Sequence, residues 1–242
     1  MVRLVVMAAG QAIRMGTDKL ALPWRGSTVL ASVLNTVLEA KASLVGQQAV
    51  EGTSSGAGTR EGLRAALAEG VPEAGCPEAP IPDTGVEIVV VARQEADRYL
   101  PPELIQRWEY SGGIWRSDPA PRPLSASVRA GLAGVSSTHS GIAFLPGDQV
   151  GITAAGLMAV LREFIRHRPA FLVPLCEGVP VSPAIFRTDY IAELYKLNGE
   201  QGGKVVLQRY QELWRVLPVP AGFCDDLDTP AAYERLRNKY GA

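Results

Sequence analysis

Histidine and cysteine are scarce in this chain. Among 242 residues there are two histidines, His139 and His167, and three cysteines, Cys76, Cys176 and Cys224. The histidines are too far apart to suggest a zinc site, and the scattered cysteines give neither a metal spacing nor a disulfide framework. Net charge is nearly absent at −1, whereas a nucleic-acid binder needs a basic face to meet the phosphate backbone. No apolar run reaches the roughly 18–20 residues that span a bilayer. The apolar start turns into glycine too soon for a secretory signal. A soluble, cytoplasmic protein with neither nucleic acid nor membrane as partner is therefore expected. Internal repeats and heptad arrays are also missing.

What is present is a hydrophobic fraction of 47% and enough length to bury a full core. Apolar strand-like runs alternate with helical patterns, which predicts an α/β fold with a mostly parallel, doubly wound sheet and a βαβ start. Val2 to Met7 is a nearly continuous apolar run, as a buried parallel strand gives. It runs into Ala8-Ala9-Gly10, where small side chains let a ligand approach the backbone. Arg14, Gly16 and Lys19 follow. A strand, a glycine turn and two cations can cradle a polyphosphate, with N–H groups on the oxygens and cations offsetting the charge. The spacing is neither the Walker pattern nor the dinucleotide fingerprint. An ordinary strand-to-helix turn with a surface Arg and Lys has the same residues.

Ser27-Thr28 offers an N-cap to a helix carrying Val29, Leu30, Val33, Leu34, Val37 and Leu38. Residues 46–85 are rich in Gly, Ala, Pro, Glu and Ser, too long for an ordinary connection and expected as an insertion or solvated loop. Within it only Arg60 to Glu69 has a helical pattern. Val86 to Ala92 predicts the second strand, and Pro101 to Trp115 is partly helical. Ser125 is placed to cap a helix bearing Val128 and Leu132. Gly141 to Leu145 predicts a strand that ends in Pro146-Gly147-Asp148-Gln149. An acidic residue just past a central strand lies where open α/β sheets bind ligands, and a carboxylate there suits Mg²⁺ beside phosphate and water. Thr153 caps a helix with Leu157, Val160, Leu161, Phe164 and Ile165 on one face. Phe171 to Leu175, Val179 to Phe186 and Trp214 to Val219 predict strands. Asp225-Asp226-Leu227-Asp228-Thr229-Pro230 leads into a helix from Ala231 to Lys239.

The opening stretch resembles A-A-G-x-x-x-R-M-G-x-x-K, the signature of nucleotidyltransferases similar to molybdenum cofactor cytidylyltransferase and guanylyltransferase. Ala8-Ala9-Gly10, Arg14-Met15-Gly16 and Lys19 match it position for position, while Ala12 stands where Ser is frequent. Ser127, Val128, Arg129, Gly131 and Leu132 resemble the segment that lies beside the base and ribose in this superfamily. Pro146-Gly147-Asp148-Gln149 is similar to the family's P-G-D-Q turn, with Val150 replacing the Pro that usually follows. Val179 to Phe186 resembles the G-x-P-x-x-F strand beside the acceptor, with Val181-Ser182 departing from it. Leu197 to Lys204 resembles L-x-G-D-x-G-x-R, with Glu200 for Asp and Lys204 for Arg. Asp226-Leu227-Asp228-Thr229-Pro230 resembles D-I-D-T-P.

The resemblance implies a three-layer, Rossmann-like nucleotidyltransferase fold, expected as one domain over residues 1–242 with the insertion at 46–85. It implies a nucleoside triphosphate along Ala8, Ala9, Gly10, Gly16 and Lys19, with its base near Ser127. Mg²⁺, with Mn²⁺ as the alternative, is implied at Asp148 and Asp228, with Asp226 a further candidate. Arg14, Lys19 and Asp148 become the catalytic set, and Pro183 and Lys204 the acceptor contacts. The implied reaction is CMP transfer from CTP to the phosphate of molybdopterin, with a molybdenum hydroxylase apoprotein as recipient of the product. Alternatives are GMP transfer to the same acceptor, cytidylyl transfer to a sugar or polyol phosphate, and a non-catalytic nucleotide or cofactor chaperone. A phosphomonoester acceptor is already an anionic nucleophile, which agrees with the lack of a His or Cys dyad.

Overall fold

The side chains of Val2, Leu4, Val6 and Ala8 enter one core and those of Val5 and Ala9 enter another, because successive residues of a strand face opposite ways. This strand, β1 (Val2–Ala8), is central to a sheet whose two faces are both covered. The structure, a computed structural model, describes residues 1–10, 16–54, 85–120 and 122–241. After β1 come β2 (Pro23–Trp24), β3 (Ser27–Thr28), α1 (Val29–Ser54), β4 (Val86–Ala92), α2 (Pro102–Tyr110), β5 (Ile114–Ser117) and α3 (Leu124–Leu132). The chain continues through β6 (Gly141–Pro146), α4 (Ala154–His167), β7 (Phe171–Cys176), β8 (Val179–Pro180) and β9 (Ala184–Arg187). It closes with α5 (Ile191–Tyr195), α6 (Gly203–Arg209), β10 (Trp214–Pro218) and α7 (Pro230–Tyr240).

The main sheet has the order β10-β7-β9-β6-β1-β4-β5, with β8 hairpinned onto β7. β1 pairs in parallel with β4 and β6, β4 with β5, and β7 with β10, whereas β9 runs antiparallel between β6 and β7. Buried residues of α1, α2, α4 and α7 pack on one face, and those of α3, α5 and α6 on the other. The result is the three-layer, mostly parallel arrangement that the sequence pattern predicts.

Local signals account for several boundaries. Thr28 Oγ1 accepts from Ala31 N at 3.1 Å, Thr153 Oγ1 from Gly156 N at 3.1 Å and Thr229 Oγ1 from Ala232 N at 3.1 Å. Each fills one of the unpaired donors of a helix N-terminus. In α4, Leu157, Val160, Leu161 and Phe164 are buried at helical spacing.

Four expectations are corrected. α1 continues through Gly46 to Ser54, since each glycine inside a helix costs only about 1 kcal/mol relative to alanine. The rest of the supposed insertion, including the helical pattern at 60–69, lies outside the described residues. Ser125 does not cap α3: Pro123 holds the cap position with extended backbone, and the Ser125 hydroxyl is buried inside the first turn without a partner among the described residues. Val179 to Phe186 is two short strands separated at the cis Ser182–Pro183 bond. Finally, Cys176 and Cys224 form a disulfide, their Cα atoms 6.3 Å apart. Their separation of 48 positions left no framework to read in the sequence.

Candidate active site

The carboxyl ends of β1 and β6 open onto a cleft of 840 Å³. β1 delivers Ala9 and Gly10 to its floor. The chain returns through Gly16, whose φ of +66° is a conformation that glycine adopts without a Cβ penalty. Asp18 then caps the short 3₁₀ turn Lys19–Ala21, its Oδ1 accepting from Leu20 N at 3.2 Å. Its Oδ2 accepts from the Tyr99 hydroxyl at 3.1 Å. Burial, and then the Asp18 charge, raise the Tyr99 phenol well above its ordinary range, so it stays a donor. Lys19 is thereby held at the cleft wall.

β6 exits through Pro146-Gly147-Asp148. Gly147 N donates to Met7 O at 2.9 Å, and a Cβ there would lie 3.1 Å from Leu30 Cδ1. The glycine lets the turn press against the end of β1 and brings Asp148 opposite Lys19. The Lys19 ammonium donates to Asp148 and, at 3.0 Å, to Asp228 Oδ1. Burial alone would lower the Lys19 pKa, but the two carboxylates outweigh it and raise the ammonium above its usual value.

The acidic run divides by direction. Leu227 is fully buried. Asp225 turns to α7, accepting from Tyr240 OH at 2.6 Å and Lys239 Nζ at 2.5 Å. Asp226 stays near the cleft, where burial and the charges of Asp228 and Asp148 push its carboxyl above the usual carboxylate range. Gln149 joins the strand exit to this run, its Nε2 donating to Phe223 O at 2.8 Å and to Ser182 O at 2.7 Å.

Asp148 Oδ2 and Asp228 Oδ1 both reach one ammonium nitrogen, so two carboxylate oxygens converge on a single cationic position. Among the described residues, no three His, Cys, Asp or Glu side chains form a metal cluster. A pair of carboxylates, with phosphate and water supplying the rest, is the donor set that Mg²⁺ takes in nucleotide sites, so the residues fit such an ion.

Of the residues singled out from sequence, Ala9, Gly10, Lys19, Ser127, Asp148 and Asp228 line the one cleft. Ala8 is buried at the end of β1 beneath it, and Gly16 lies outside the lining. Arg14 lies outside the described residues. Pro183 and Lys204 do not line the cleft. Pro183 is buried while Ser182 lines the cleft, and Lys204 is exposed on α6 while Gly202 and Gly203 line it. The reason for Lys204 is that Val206 and Leu207 turn the other side of α6 to the core. Asp18, Gln149 and Arg122 were missed. An Asp ahead of a short turn is a readable cap signal, whereas the other two act through distant partners.

Residues 4–213 match the MobA-like NTP transferase domain. The chain belongs to that family. A comparison with curated protein sequences finds no match. Among solved structures, the MobA-like chain is similar to Rv0371c from Mycobacterium tuberculosis H37Rv, with TM-score 0.68, 21% identity and 98% of each chain covered. A manganese complex of Rv0371c matches with TM-score 0.64, 20% identity and 97% of each chain covered. CMP:2-keto-3-deoxy-manno-octonic acid synthetase complexed with CTP matches with TM-score 0.59 and 12% identity, over 99% of this chain and 98% of that one. Molybdopterin-guanine dinucleotide biosynthesis protein A from Archaeoglobus fulgidus matches with TM-score 0.54 and 14% identity, again over 99% and 98%. At these identities the likeness establishes the shared Rossmann-like nucleotidyltransferase fold. No helix among the described residues is long and apolar enough to cross a membrane.

Proposed function

We propose that the protein transfers CMP from CTP to the phosphate of a molybdopterin-type acceptor, releasing pyrophosphate. The observation that carries this reading is Lys19 set between Asp148 and Asp228 at the mouth of β1 and β6. One cation and two carboxylates, from segments far apart in sequence, are the equipment of phosphoryl-type transfer by positioning and charge neutralisation. An acceptor phosphate oxygen attacks the α-phosphorus, forming a new P–O–P linkage. The bond from the α-phosphorus to the bridging oxygen breaks, and that oxygen leaves with its electron pair on pyrophosphate. Ala9 and Gly10 bring backbone close to the triphosphate, while Lys19, with Arg14 from the same motif, offsets charge on the departing group. Asp148 and Asp228 would hold Mg²⁺ or Mn²⁺, which when bound polarises the phosphate oxygens and offsets their charge. Ser182, Gly202 and Gly203 form the acceptor side.

The manganese complex of Rv0371c supports a divalent ion, and the CTP complex of the octonic acid synthetase supports the donor. The molybdopterin-guanine dinucleotide protein supports the acceptor class and favours GTP as the second donor reading. Pyrophosphate release is the test, with Mg²⁺, molybdopterin with and without molybdate, and CTP, GTP or ATP. Release with CTP is expected. Release only with GTP would replace the donor, and nucleotide binding without release would leave a carrier in place of an enzyme.

A further inference from the structure

Arg122 stands in the cleft wall with fewer partners among the described residues than its donors require. Its side chain is 15% exposed. Nη1 lies 3.4 Å from Asp118 Oδ2 and Nη2 3.3 Å from the Ala92 carbonyl, both long for hydrogen bonds of a guanidinium. Its Nε is buried with no partner among the described residues. A guanidinium carries five N–H donors and no acceptor, and burying them unmade is costly. The loose hold by Asp118 and Ala92 leaves the group able to turn to an acceptor that arrives with a ligand.

Its place in the fold suggests which acceptor. Ala92 ends β4, which flanks β1 on the side away from β6. Asp148 follows the end of β6. Two interstrand steps of about 4.8 Å, roughly 10 Å in all, separate the end of β4, against which Arg122 lies, from the end of β6, which leads into Asp148, across the mouth of β1. That is the reach from the α-phosphate of a nucleotide to the far edge of its base. Ala9 and Gly10 at the end of β1 lie between, and Val128 gives the cleft an apolar wall.

We propose that Arg122 selects the base, resting on the nucleotidyl-transfer reading above. Its guanidinium donates to two adjacent acceptors, the N3 and O2 of cytosine. Guanine offers a comparable pair, O6 and N7, whereas adenine sets a donor beside its N7 acceptor. Lysine keeps the charge at this position but lacks the planar fork.

Isothermal titration of the whole chain with CTP, GTP, ATP and inorganic tripolyphosphate, in wild type and Arg122→Lys, tests this. The variant is expected to bind CTP about tenfold or more weakly, as for loss of a charge-assisted hydrogen bond, with ATP and tripolyphosphate unchanged. Equal losses for all four ligands, or none, would overturn the proposal. A second measurement needs no variant: wild type should bind 3-deaza-CTP, whose N3 is replaced by C–H, about tenfold less tightly than CTP. Indifference to that change would refute base reading by Arg122 while leaving nucleotide binding intact. Were GTP the tighter ligand, 7-deaza-GTP carries the same test. Wild type that binds tripolyphosphate but gains nothing from any base would refute the nucleotide reading itself.

Discussion

Asp148 is buried, carries one of the two carboxylates on Lys19, and follows a glycine that cannot be enlarged without disturbing Leu30. Asp148→Asn preserves its size and removes its charge. Pyrophosphate release is expected to fall by about 10²–10³, the usual effect of deleting one preorganised electrostatic group. The circular dichroism spectrum should be unchanged; near-wild-type turnover would remove Asp148 from the chemistry. This residue was legible in the sequence because its signal is local, an apolar strand followed by Pro-Gly-Asp. Gln149, the next residue, was not. Its amide hydrogens go to Ser182 and Phe223, 33 and 74 positions away, and no short-range pattern records such partners. Arg122 was hidden for a different reason: its significance is a deficit of partners, which only the folded chain displays.

Elements defined by periodicity and caps were readable, as α4 and its Thr153 illustrate. β9 fell within the strand predicted from Val179 to Phe186, but its place between β6 and β7 was not readable, because it depends on the chain reversing at Glu177-Gly178 and on long-range pairing that no apolar alternation encodes. Neighbouring strands are also joined by a charge cluster that the apolar reading of β1 passed over. Arg3, 2% exposed, donates through Nε to Glu87 Oε2 at 2.5 Å, and His139 Nε2 lies 3.0 Å from the same oxygen. Burial alone would raise the Glu87 pKa, but hydrogen bonds from Arg3 and His139 outweigh it and hold the carboxyl below its usual value. A depressed carboxylate contributes stability above its unfolded pKa of about 4.3, and that contribution is lost as pH falls through the lower folded value. Urea denaturation between pH 6 and pH 2 should show a shallower loss of stability for Glu87→Gln than for wild type. Parallel curves would mean that Glu87 titrates alike in both states.

Across the whole molecule, the disulfide of Cys176 and Cys224 ties β7 to the turn that leads into Asp226 and Asp228. Closing a loop of this length constrains the unfolded chain by about 4 kcal/mol in the chain-entropy treatment. Reduction should therefore lower the urea midpoint of the wild type and leave Cys224→Ser unaffected. It should also lower turnover, since the anchored segment carries one of the two carboxylates. An insensitive wild type would assign that anchorage to Gln149 and to the Asp225 contacts with α7. Finally, Lys19 has only three donors, so it cannot keep both carboxylates and also embrace a triphosphate. A triphosphate that drew the ammonium away would open the Asp148 and Asp228 carboxylates, which would hold a divalent ion, and holding the ion there would favour the displaced ammonium. The two ligands are then thermodynamically coupled through a tethered counter-ion, and linkage makes the coupling reciprocal. Mn²⁺ titrated into wild type should bind about tenfold or more tightly with CTP present, within the usual range of coupling energies. In Lys19→Met the gain should shrink to what direct contact between ion and nucleotide provides; an undiminished gain would show that the lysine takes no part in the exchange.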